Sequence, residues 1–112
     1  MPLLSSRRFL PILAIAAVLV TAAGLTPAFA KDATVTITNF AFDPATVTIA
    51  KGDTVTFVNG DDTIHSIVAD DSSFHSDGLD TDDKFTYTFS QPGKFAYHCG
   101  LHPFMTGEII VQ

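Results

Sequence analysis

From Ala33 onward, apolar and hydroxyl side chains alternate with a period of two. In Ala33-Thr34-Val35-Thr36-Ile37-Thr38, Val35 and Ile37 fall on one side of an extended chain and the threonines on the other. A helix would scatter these residues around its axis, so the segment reads as a half-buried strand. Ala45–Ile49 repeats the pattern after Asp43-Pro44, and Asp53–Val58 repeats it after the turn at Lys51-Gly52. Asn59-Gly60-Asp61-Asp62 then breaks the chain. Ile64–Ala69 reads as a short fourth strand, and Asp70–Asp83 as a polar loop containing Gly78. Beyond the loop, Lys84–Ser90 places Phe85, Tyr87 and Phe89 on one face, and Gln91-Pro92-Gly93 reverses the chain. Lys94–Cys99 directs Phe95, Tyr97 and Cys99 inward, and Glu108–Val111 follows Gly107 as the last strand. No segment carries ten residues of helical period. Strands this short and this closely spaced predict an all-β domain, a small antiparallel sandwich or barrel.

Only part of the 112 residues is available to that domain. Arg7 and Arg8, the apolar run from Phe9 to Leu25 and the Ala28-Phe29-Ala30 triplet make residues 1–30 a cleaved secretion signal. A retained membrane anchor is the competing reading of the run, but the triplet and Pro27 before it favour removal. Residues 31–112 then form a single domain, exported to the periplasm and without a membrane span. A domain this small gains little beyond its chain entropy from burial alone, so a bound metal would be a physically reasonable supplement. Loss of the two arginines takes the net charge from −6 to −8, with the acids concentrated between Asp61 and Asp83. Nucleic acid is excluded as a partner, since phosphate binding needs lysine and arginine to displace counterions. The aspartates either solvate turns or steer a basic protein.

An exported chain with one cysteine cannot form an internal disulfide. Cys99 lies instead in Tyr97-His98-Cys99-Gly100-Leu101-His102-Pro103-Phe104-Met105, where thiolate, imidazole and thioether recur every third residue between a strand end and Gly107. Two residues between successive ligands let the backbone curve around one ion, and Pro103 limits the loop's freedom. Taken singly, Cys99 would be a small buried hydrophobe, Met105 a gap-filler and His102 a surface side chain. Jointly they are a soft ligand set, suited to copper or another soft ion and not to magnesium or calcium. A further ligand must come from elsewhere. His65, in a strand beyond a polar turn, is the first candidate and His75 the reserve. His98 alternates away from Cys99 and is excluded.

Here the chain resembles the cupredoxins, the small type 1 blue-copper proteins, and is most similar to their amicyanin/plastocyanin-like group. Cys99, His102 and Met105 match the short C-x2-H-x2-M ligand loop of that group, and Phe89–Cys99 resembles its penultimate strands. The resemblance implies a Greek-key β-sandwich and one mononuclear copper, cycling between Cu(I) and Cu(II), held by His65, Cys99, His102 and Met105. It also sets Ser66 where the family commonly carries an asparagine that ties the two ligand loops together, which implies a weaker tether here.

Two imidazoles and a thiolate with a weak axial thioether leave no position for substrate, so the set argues for electron carriage and against an enzyme. The resemblance implies a monomer that exchanges electrons with transient redox protein partners, docking near His102, Pro103 and Phe104 with Leu101 beside them. A copper-binding or copper-delivery protein without an electron-transfer role is the alternative. A detached multicopper oxidase domain would need further histidine-rich sites, and the chain has four histidines.

Overall fold

A computed structural model of the chain describes residues 31–112; the leader assigned to residues 1–30 lies outside the described residues. Eight strands, β1 (Asp32–Thr38), β2 (Ala41–Asp43), β3 (Thr46–Ile49), β4 (Thr54–Asn59), β5 (Val68–Ala69), β6 (Lys84–Thr88), β7 (Gly93–His98) and β8 (Thr106–Val111), form two four-stranded sheets. One has the order β2-β1-β4-β6 and the other β3-β8-β7-β5, which makes the all-β sandwich. No helix among the described residues is long and apolar enough to cross a membrane.

The period of two sets which side chains enter the space between the sheets. Val35 and Ile37 of β1, Val55 and Phe57 of β4, Tyr97 of β7, and Ile109 and Val111 of β8 are all buried there. On the outer face of the first sheet the threonines pair across strands, Thr54 with Thr88 at 3.0 Å and Thr56 with Thr86 at 3.1 Å. Phe57 lies between Phe85, stacked at 6.0 Å, and Tyr97, edge-on at 5.3 Å, so aromatic contacts bind the two sheets.

The structure differs from the sequence reading in three ways. The sheets are mixed and not purely antiparallel, because β1 pairs with β4 and β3 with β8 in parallel. Alternation fixes which face a residue occupies and carries no information about the direction of a neighbouring strand. The segment Ile64–Ala69 is a strand only at Val68–Ala69. Its first half bonds to the following loop instead: His65 N–H donates to Leu79 O, Leu79 N–H to His65 O, and Ser76 N–H to Ile67 O. The same bonds draw the loop 70–83 inward, and Phe74 and Leu79 join the core despite their polar surroundings. Finally, the short strand β2 buries Phe42 and leads through Asp43-Pro44 into the second sheet. Three residues with one buried side chain carry no readable period.

Gly107 on β8 stands opposite Tyr97 on β7. A Cβ there would overlap the buried tyrosine ring, so glycine is required by the aromatic packing between β7 and β8. Gly107→Ala is expected to lower unfolding stability by about 1–3 kcal/mol in urea titrations.

Candidate metal centre

The centre lies at one end of the sandwich and is assembled from two loops. The first runs from β4 to β5. Asn59, buried at the end of β4, anchors it by donating from Nδ2 to Thr63 O at 2.9 Å and to Leu79 O at 2.8 Å, while its Oδ1 accepts from Asp61 N–H. These bonds shape the turn that delivers His65 to the interior, where its side chain is fully buried. The second loop runs from β7 to β8. Met105 N–H donates to His102 O at 2.9 Å and Cys99 N–H to Met105 O at 3.1 Å, which folds Cys99–Met105 into a closed turn. Cys99 and Met105 are buried by this turn, His102 is half-buried, and Phe104 projects into solvent.

The loops meet at the thiol. Cys99 Sγ lies 3.7 Å from His65 Nδ1 and 3.6 Å from His102 Nδ1, and the three donor atoms all fall within 4.8 Å of one another. An ion about 2.3 Å from a thiolate sulfur and about 2.0 Å from an imidazole nitrogen, at angles between tetrahedral and trigonal, sets those donors about 3.5–3.7 Å apart. The two sulfur–nitrogen edges therefore fit a shared first-row metal. Ser66 closes the contact between the loops from the other side. Its backbone N–H donates to Cys99 Sγ at 3.4 Å, and its hydroxyl oxygen accepts from Gly100 N–H at 3.0 Å. The serine thus keeps a tether between the two loops through a shorter side chain.

His65 is oriented by its second nitrogen. Nε2 lies 2.9 Å from Asp61 Oδ2, and Nδ1 faces the Cys99 sulfur on the other side of the ring. Partial burial raises the Asp61 carboxyl, but donors from Phe40, Asn39 and His65 outweigh it and hold the group below the usual aspartate value. The ring of Phe40 stands edge-on at 5.2 Å to both His65 and His102.

His75 is exposed and outside the cluster, where its backbone bridges to Val68. His98 points away from Cys99, with Nδ1 2.7 Å from Asp70 on the surface. Sequence reasoning missed Asn59, Asp61 and Phe40. The Asn-Gly-Asp-Asp run signalled a turn, but nothing local marks which of its polar groups reach a histidine or a distant hairpin.

The model of the cupredoxin-like domain family matches residues 11–111. The chain belongs to the cupredoxin family. Its His-Cys-His cluster with adjoining methionine matches the mononuclear type 1 copper site typical of cupredoxins. Amicyanin of Paracoccus versutus is 34% identical over 71 residues, a match covering 59% of this cupredoxin and only 54% of the relative. The chloroplastic plastocyanin of Chlamydomonas reinhardtii is 34% identical over 115 aligned positions, covering 88% of this chain and 79% of that one. Among solved structures, a purple cupredoxin from Nitrosopumilus maritimus superposes with a TM-score of 0.69 at 30% identity, over 72% of this chain and all of that one.

Removing the Ser66 hydroxyl leaves Gly100 N–H without its acceptor. Gly100 is exposed and water can replace the acceptor, so Ser66→Ala is expected to lower stability by only about 0.5–1.5 kcal/mol, measured by denaturant unfolding of the copper-free cupredoxin.

Proposed function

We propose that this cupredoxin is a periplasmic carrier of single electrons, with His65, Cys99 and His102 as the strong copper ligands and Met105 as the weak axial one. The observation that carries this reading is the closed donor set: a buried thiol with imidazole nitrogens at 3.6 and 3.7 Å, supplied by two loops that are bonded to each other. When bound, copper supplies one-electron chemistry between Cu(I) and Cu(II). The protein's part is to hold the donors still in both states. The Cys99–Met105 turn, the Ser66 tether and the Asn59 anchor resist rearrangement, and the Ser66 N–H directed at the sulfur adjusts the electron density of the thiolate. Copper delivery would call for exposed, exchangeable ligands, whereas His65, Cys99 and Met105 are buried.

His102 provides the route to the surface. Among the described residues, the exposed large hydrophobic ones are Phe40 at 41%, Ile64 at 44%, Leu101 at 53% and Phe104 at 73%. Phe40 and Phe104 meet the half-buried His102 ring edge-on at 5.2 and 6.0 Å and Leu101 precedes it in the chain, so these three give His102 an apolar rim. Such a rim suits a small, transient interface with another redox protein, and the aspartates between Asp70 and Asp83 favour approach by a basic one. Export follows from the reading of residues 1–30 as a cleaved signal.

Addition of Cu(II) to the purified protein is expected to give an intense visible thiolate-to-copper band that is absent in Cys99→Ser. A colourless complex contradicts the assignment. Copper held at 100 times its dissociation constant is expected to raise unfolding stability by about 2.7 kcal/mol, and superimposable unfolding curves with and without metal contradict it. Fast electron self-exchange with slow metal exchange in both oxidation states supports carriage, and rapid metal exchange in either state supports delivery.

A further inference from the structure

The hairpin between β1 and β2 turns on two residues, Asn39 and Phe40, with φ values of 55° and 58°. Such left-handed pairs suit asparagine and glycine, and a bulky aromatic residue is a poor occupant of the second position. Phe40 nevertheless holds it, with its ring edge-on to both His65 and His102. A single side chain secures the turn from outside: Asp61 accepts Asn39 N–H on Oδ1 at 2.6 Å and Phe40 N–H on Oδ2 at 2.9 Å. The same Oδ2 lies 2.9 Å from His65 Nε2.

Asp61 is itself fixed on both sides. Its N–H donates to Asn59 Oδ1 at 2.9 Å, and its carbonyl accepts from Thr81 Oγ1 at 2.7 Å. The carboxylate therefore sits at the junction of the β1–β2 hairpin, the β4–β5 loop and the loop ahead of β6.

We propose that Asp61 is the positioning residue of the metal centre, acting on His65 through its Nε2 proton and on the flank of both imidazoles through the Asn39-Phe40 turn. An ionised carboxylate only accepts hydrogen bonds, so the nitrogen facing it must carry the proton and Nδ1 is left free for the cavity. Three N–H donors converge on its two oxygens. An amide in its place would set an NH2 group against at least one of them. With the NH2 at the Oδ1 position it opposes Asn39 N–H alone, and at the Oδ2 position it opposes Phe40 N–H and His65 Nε2–H together; in both, the negative charge that held the proton on Nε2 is gone, so part of the proton moves to Nδ1, where it opposes metal binding. This role rests on the assignment of His65 as a copper ligand, but its first consequence belongs to the copper-free protein.

The test uses protein purified after expression of the full chain, in wild-type, Asp61→Asn, Phe40→Gly and Phe40→Gly/Asp61→Asn forms. Nitrogen NMR of the copper-free wild type is expected to place the His65 proton on Nε2, and Asp61→Asn to move it wholly or partly to Nδ1. Phe40→Gly frees the turn of its unfavourable backbone, so a merely structural Asp61 would have no effect on the tautomer in that background. The positioning role predicts the same proton shift there as in the parent. Copper affinity is expected to fall 10–100-fold with Asp61→Asn in both backgrounds. A wild-type His65 protonated on Nδ1, or a tautomer and affinity unchanged by Asp61→Asn, overturns the proposal. A wild type lacking the thiolate-to-copper band counts against the ligand assignment, while the copper-free tautomer measurement still decides the role of Asp61.

Discussion

Everything at the working end of this protein depends on keeping His65 beside a sulfur 34 positions later in the chain. Neither loop could do so alone. The β7–β8 loop gathers Cys99, His102 and Met105 through its own turn, but the second imidazole belongs to a segment whose position is set by the opposite sheet through β4. The loops are joined by Ser66, which offers an N–H to the sulfur and an oxygen to the Gly100 amide. Two modest hydrogen bonds thus connect the metal centre to the packing of the sandwich.

The rigidity comes from beneath. Tyr97, on the inward face of β7 two residues before Cys99, packs against Phe42 and Phe57 of the facing sheet and fills the space left by Gly107. Phe42 belongs to β2, the strand that follows the Asn39-Phe40 turn. One short hairpin therefore braces the strand leading to Cys99 from below and covers both imidazoles from the side. A redox site benefits from this coupling, since ligands held by packed aromatic residues have little freedom to follow a change in metal charge.

Much of this was legible in the chain. Threonine-valine alternation gave β1, β3 and β4, and the period of two placed Tyr97 and Cys99 on one inward face. The spacing of Cys99, His102 and Met105 is local and could be read directly. What escaped was non-local. Phe74 and Leu79 sit among aspartates and serines, and their burial follows from backbone bonds between loop 70–83 and the His65 segment. Asp61 looks like any turn aspartate until the fold brings Asn39, Phe40 and His65 to it. Parallel pairing of β1 with β4 is equally invisible, because a strand's face pattern is the same in either direction.

X-ray absorption at the copper edge of the loaded protein tests the central claim most directly, because it counts the donors around the metal. The geometry predicts one short sulfur contact with two imidazole nitrogens, and loss of one nitrogen in His65→Ala. A shell without the short sulfur, or one unchanged by His65→Ala, would contradict a centre shared by the two loops.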